Sequence, residues 1–324
     1  AGVLEAATEQ AVAETIAAME ATGSPVVTDG EQGKPSFATY PLAGLDCLAP
    51  DGVVIAFKDG HTRQLPRLTK GPFRYGTYSG RYVEMARRHA KTPVKQAVIS
   101  PSALSLLYPA GGIAGYDRER FLADLTVETA RDIRSALDAG AASVQIDFTE
   151  GRLAVKLDPS LQLLRDFVAL INRVLSNFSA AERRRIGVHT CPGGDHDSTH
   201  SADVDYAELL PDLFKIDAGS VFMQMASERD RPRIYELVRI HRRPEQRVFV
   251  GVTDPIDTVV ETPEVVRDRV LEAVGYLPAA HLGTTDDCGF APFGDDISTA
   301  RETAFAKIKA RVDGTRLAEK VLGI

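Results

Sequence analysis

The chain has 324 residues, 44% hydrophobic and 26% charged, with three cysteines and a net charge of −7. This is globular composition, long enough for one large domain spanning 1–324, an α/β barrel included. The acidic balance excludes a nucleic-acid surface, which needs a basic field; no apolar run reaches the roughly 18 residues of a membrane span; and so few cysteines make no disulfide framework, so a reducing cytoplasm is the expected setting.

The first element reads as a helix from Leu4 to Ala21, with apolar residues at Val12, Ile16 and Met19 and a stop at Gly23. Its acidic character is unlike a signal peptide. A short strand follows in "SPVVTDGE", ending at Thr28-Asp29-Gly30-Glu31. Between 45 and 77 the text changes: Asp59-Gly60 separates two strand-like runs, which predicts a β-hairpin inserted into the main architecture. From Gly80 onward helix and strand alternate. Strands are expected at "VKQAVIS", "ASVQID", "IGVHT", "GSVFMQMA", "RVFVGVTD" and "HLGTTDD", separated by helices and closed by one from Ile297 to Leu322. Thr262-Pro263-Glu264 is a helix start.

Uninterrupted alternation means a parallel sheet. About seven strands, with a helix ahead of the first, predict a TIM (β/α)8 barrel whose first strand lies upstream of Ala1 or is missing. A doubly wound open sheet is disfavoured because no G-x-G-x-x-G follows the first strand.

In such a barrel the site lies at the C-terminal ends of the strands. Those ends carry Glu31, Ser102, Asp147, His189, Cys191, Gln224, Asp254 and Cys288. A His-x-Cys pair alone is a weak signal. With Cys288 on another strand end it becomes a candidate zinc centre, because imidazole and thiolate in a tetrahedral set suit that metal. The wide separation of Cys191 and Cys288 is unlike a zinc finger and fits a catalytic site with one position left open.

"VQID" at 144–147, "HTC" at 189–191 and "DDCG" at 286–289 resemble the catalytic domain of cobalamin-independent methionine synthase, in strand order over nearly the whole chain. The resemblance implies a barrel, a cytoplasmic methyltransferase of methionine biosynthesis, and zinc held by His189, Cys191 and Cys288. It implies a small-molecule thiol, homocysteine-like, whose amine is received by Glu31 and Asp147, with Ser102 and Gln224 near the substrate. The alkyl donor stays open between a folate, a corrinoid and an epoxide, because 324 residues do not contain the duplicated half with which long forms help hold folate. Homo-oligomerisation is equally open, and neither nucleic acid nor membrane is an expected partner.

The departures are specific. Where the family has a glutamate ligand, this chain has Gln224, so Glu228 or Glu150 takes the fourth position or the metal has three protein ligands. The family's Asp-Ile-His segment is "TDPID": Asp254 is kept as a catalytic candidate and the histidine is not. The loop "CPGGDHDSTHSADVDY" is also unlike the synthase, and His196 and His200 in it are candidates to bind substrate or assist the metal, with His196 the catalytic candidate. A related reading is an epoxyalkane:coenzyme M transferase, which needs a cation for a sulfonate; Lys70, Arg74, Arg81 and Arg152 are the candidates. Readings of another class are a zinc hydrolase, motivated by Asp254, Asp286 and Asp287, and a non-catalytic small-molecule-binding barrel.

Overall fold

A computed structural model describes residues 2–324. Helix α1 (Gly2–Ala21) buries Val12, Thr15 and Ile16. The following segment meets the sheet through one parallel bridge, Val27 to Val94. The excursion then forms as expected, with β1 (Leu48–Ala49) paired to β4 (Arg67–Leu68) and β2 (Val54–Ala56) paired to β3 (Thr62–Gln64), each antiparallel.

The alternating part runs α2 (Gly80–Arg87), β5 (Lys95–Ile99), α3 (Pro101–Ser105), α4 (Arg118–Asp138), β6 (Ser143–Asp147), α5 (Gly151–Leu157), α6 (Gln162–Leu175), α7 (Ala180–Arg183) and β7 (Ile186–Thr190). After a small ribbon of β8 (Gly194–Asp195) and β9 (Ser198–Thr199) come α8 (Tyr206–Leu213), β10 (Ser220–Met223), α9 (Arg231–His241), β11 (Arg247–Thr253), α10 (Pro263–Val274), β12 (Leu282–Asp286) and α11 (Arg301–Leu322). Helix starts follow their caps: Asp117, Asp205 and Thr262 each accept a hydrogen bond from a first-turn amide. The last helix begins at Arg301 and not at Ile297, because Asp296 draws the Ser298 amide and hydroxyl into a turn.

Six strands form one parallel sheet in the order β5-β6-β7-β10-β11-β12. Neighbours in sequence are neighbours in space, each joined through a helix, which is the winding of a (β/α) barrel. The Val27 bridge adds a seventh strand position; among the described residues no backbone bridge joins β12 to that segment. Val144, Ile146, Val188 and Val221 face the helices and pack with Leu137, Ile171 and Leu209. Each such burial contributes about 1.5–3 kcal/mol. Alternate residues point inward: Lys95 Nζ is 2.9 Å from Gln145 Oε1 and 4.5 Å from the Phe222 ring, which stacks on Phe249. Among the described residues no helix is long and apolar enough to cross a membrane.

Candidate metal centre and its cleft

β7 is buried along its whole length, and parallel pairing sets His189 beside Asp147 on one side and Phe222 on the other. Cys288 arrives from the opposite edge of the sheet. Its position is fixed by the preceding Asp287, whose carboxylate accepts from the Met225, Ala226 and Ser227 amides, all at 2.8 Å, and from the Ser227 hydroxyl. Gly251 makes room for that brace, since a Cβ there would lie 1.8 Å from Asp287 Oδ1. The turn after Cys191 is equally constrained. Gly193 has φ 71°, and a Cβ on it would lie 1.8 Å from His200 Nε2.

The result is that ligand atoms of His189, Cys191 and Cys288 all lie within 4.8 Å of one another. The two sulfurs stand 3.2 Å apart. Hydrogen bonding from Cys191 lowers the pKa of the Cys288 thiol. His189 Nε2 is buried with no hydrogen-bond partner. A buried imidazole with an unpartnered nitrogen, clustered with two close sulfurs, fits a soft, tetrahedral cation, zinc before others.

The acids occupy the β5 and β6 side. Asp147 accepts from Gln145 at 2.7 Å, and burial pushes its pKa up to about 6. Glu31, at φ 56°, pairs with Lys34 at 2.8 Å. Lys34 also donates to the Ala97 carbonyl and lies 4.4 Å over the Tyr40 ring. Burial works against its charge, and Glu31 and Asp29 more than offset that, so its pKa is raised. Glu150 accepts from the Ser100 and Ser102 hydroxyls through Oε1; its Oε2 is buried without a partner, and burial pushes its pKa to about 7. Ser102 thus turns to Glu150.

Gln224 lines a cleft with Cys288, Asp254, Asp195 and Ser227. Its Oε1 accepts from Arg152 Nη2 at 2.9 Å and its Nε2 donates to Ser227 at 2.7 Å. Glu228 does not join the three-residue cluster: Oε2 is 3.5 Å from Arg152, and Oε1 accepts from the Arg229 amide. Burial raises the pKa of Asp254, whose Oδ1 accepts from the Ile256 amide. Of the three acids considered for hydrolysis, Asp286 pairs with Arg311 and Thr253 and Asp287 with backbone amides, which leaves Asp254 lining the cleft. His196 is a rim residue, its Nε2 3.1 Å from Arg63 and its amide bonded to Asp296. His200 is buried against Ser201, its pKa lowered to about 4 by burial and then by Lys156. Of the four cations considered for a sulfonate, Arg74 pairs with Asp124, Lys70 pairs with Asp46 and Arg81 lies by Tyr82, while Arg152 is buried behind the cleft and reaches it only through its bond to Gln224.

Sequence reasoning passed over Lys34, Arg63 and the bracing role of Asp287. Arg63, on the inserted hairpin, reaches the departing loop by bonding Asp195, and also Asp295 at 2.8 Å. The Asp287 brace had a signal: an acid directly before a candidate ligand.

No protein-family profile matches the sequence. The chain is 25% identical over 309 residues to the uncharacterised protein YxjH of Bacillus subtilis, covering 90% of this chain and 80% of that one. It is 22% identical over 203 residues to a methionine synthase of Sulfurisphaera tokodaii, which covers 61% of this chain and 51% of the synthase. Among solved structures, a B12-independent methionine synthase from Shewanella sp. W3-18-1, in complex with selenomethionine, superposes with a TM-score of 0.80 at 18% identity over 100% of this chain and 91% of that one. A candidate vitamin-B12-independent methionine synthase from Listeria monocytogenes gives 0.71 at 21% identity over 97% and 86%. The likeness establishes the TIM-barrel-like fold, and the resemblance to B12-independent methionine synthases read from the sequence stands at that level.

Proposed function

We propose that this chain transfers a methyl group to the thiol of a homocysteine-like substrate at a zinc centre held by His189, Cys191 and Cys288. The observation that carries the reading is the convergence of those three ligand atoms within 4.8 Å at the barrel's C-terminal rim. The methionine synthase among its relatives supports the reaction class. Zinc in such a centre lowers the pKa of a thiol to give a nucleophile at neutral pH.

The chain's own residues then have separate tasks. Glu31 and Asp147 receive the substrate amine. Glu31 Oε1 is taken by Lys34, so Oε2 is the oxygen offered to an ammonium. Asp147, beside His189 in the strand pairing, holds that amine next to the cluster. Proton handling is assigned to Asp254, which lines the same cleft as Cys288. The folate, corrinoid or epoxide donor approaches through that cleft, between Pro192 and Phe290.

The test combines metal content with turnover. Purified protein is expected to hold about one zinc. Cys288→Ser should weaken zinc by about 3 kcal/mol, roughly 100-fold, the share of one ligand in a closed zinc site. Methionine is expected from homocysteine with a methylfolate or a methylcorrinoid. Stoichiometric zinc that survives Cys288→Ser unchanged overturns the centre. Product formed only from an epoxide and a sulfonate thiol moves the reading to epoxide opening, and ester or amide turnover without any thiol moves it to hydrolysis.

A further inference from the structure

Beside the cluster the fold presents one more side chain. The parallel pairing of β10 with β7 matches Phe222 to His189 and Met223 to Thr190, and the Gln224 amide donates to the Thr190 carbonyl at 3.3 Å. Side chains alternate along a strand, so Gln224 stands next to Cys191 on the inward face that carries His189. This is where a fourth protein ligand would come from. Both ends of the Gln224 amide are committed elsewhere. Arg152 Nη2 donates to its oxygen at 2.9 Å, and its nitrogen donates to Ser227 Oγ at 2.7 Å, which in turn donates to Asp287 at 2.8 Å.

Arg152 is itself immobilised. It is 3% exposed, its guanidinium lies 3.8 Å over the Tyr206 ring, and the same Nη2 is 3.5 Å from Glu228 Oε2. Glu228 is therefore turned to the guanidinium, and the Gln224 amide is bonded to it as well. A tetrahedral centre with three protein ligands keeps one exchangeable position, whereas a fourth protein ligand closes it.

We propose that Arg152 is a positioning residue that sets the ligand count of the metal centre. By holding Gln224 and Glu228 to itself, it keeps the position beside Cys191 for the incoming thiol. This inference rests on the zinc reading above. It also explains how a buried arginine and a glutamine act together. A carboxylate at 224 would be captured by the guanidinium in a charge-assisted pair, and it could turn to the metal only once that guanidinium is gone.

The experiment is X-ray absorption at the zinc edge together with visible spectra of the cobalt-substituted protein, titrated with homocysteine. The wild type should show two sulfurs and one imidazole from the protein, and homocysteine should add a third sulfur. Glu228→Gln and Gln224→Glu should each keep the wild-type cobalt spectrum, the second because Arg152 pairs with the new carboxylate. The double variant Arg152→Met with Gln224→Glu should admit that carboxylate to the metal, shift the cobalt bands and weaken homocysteine on the order of tenfold, the effect expected of a residue behind the ligands. Arg152→Lys with Gln224→Glu should return the spectrum towards wild type. A carboxylate ligand in the wild type or in Gln224→Glu alone overturns the proposal, as does an unchanged spectrum in the folded double variant. If the double variant does not fold, the wild-type ligand count and the Arg152→Lys pair still decide. Protein that binds no zinc fails the functional reading itself; stoichiometric zinc with four protein ligands fails only this inference.

Discussion

On the β7 and β12 side of the barrel mouth, His189 Nε2 is buried without a partner and two sulfurs stand 3.2 Å apart. On the β5 and β6 side, each acid has a partner inside the protein on one oxygen, Glu31 with Lys34, Asp147 with Gln145, and Glu150 with Ser100 and Ser102, while Glu150 Oε2 and Asp29 Oδ2 are buried without one. Burying a polar or charged group is costly unless it is hydrogen-bonded or paired. The acid wall meets most of that cost from within the chain, and burial keeps Glu150 towards its protonated form. The candidate metal wall does not: among the described residues the buried His189 Nε2 has no partner beside the two close sulfurs.

The sharpest way to break this comparison is to remove charge from the acid wall. Glu150 has its pKa raised from 4.5 to about 7 by burial, so the fold favours the protonated form. Its contribution to stability is complete below pH of about 4.5 and is lost as pH rises through about 7, a change of about 3 kcal/mol. Glu150→Gln imitates the protonated acid at every pH. It should match the wild type near pH 4 and exceed it by up to about 3 kcal/mol near pH 8, read from denaturant midpoints across pH. An equal difference at both ends would mean that Glu150 is solvated and that the acid wall is not internally satisfied.

A smaller effect is expected from removing the cation. Lys34 is 1% exposed, while Glu31 is 34% exposed, so solvent screens part of the pair. Lys34→Met leaves Asp29 and Asp147 buried without that charge and should cost about 2 kcal/mol, below the 3–5 of a fully buried pair. Adding Glu31→Gln should recover part of the loss. If Lys34→Met leaves the denaturation midpoint where it was, neutralisation by Lys34 is not what lets these acids stand together.

The two walls also differ in how far they could be read in advance. Strands buried on both faces of a parallel sheet appear as largely apolar runs, and "IGVHT" is β7 to the residue while "RVFVGVTD" is β11 less its final Asp254. Strand ends converge in a barrel, which is why His189, Cys191 and Cys288 could be grouped across a long stretch of chain. Lys34 could not be seen this way. In "GKPS" it reads as a surface residue, and it is buried only because the Ala97 carbonyl and the Tyr40 ring come from other segments. Glu228 is the acid nearest to Gln224 in sequence, but the short helix α5 that brings Arg152 beside it has no start signal that separates it from the longer helix after it. Proximity in sequence ranks acids; cross-chain partners decide where they turn.

The last contrast lies above the metal wall, where the inserted hairpin meets the loop after Cys191. Lys58 donates to the Thr199 carbonyl at 3.0 Å, Arg63 bonds the fully buried Asp195 carboxylate and lies 4.1 Å over Phe293, and His61 is 3.1 Å from the same carboxylate. Arg63→Gln removes the main cation from Asp195 but leaves His61 and the backbone contact. The global loss should be small, about 1 kcal/mol, close to one hydrogen bond's net worth. The local effect should be plainer, as faster amide exchange over 52–65 and 194–200 with zinc content unchanged. That separation follows from the site's construction: Cys191 is held by β7 and the Gly193 turn, and Cys288 by the Asp287 brace, and none of these depends on Arg63. A fall in zinc as large as that from Cys288→Ser would mean that the hairpin is a wall of the metal site and not a cover fastened to its rim.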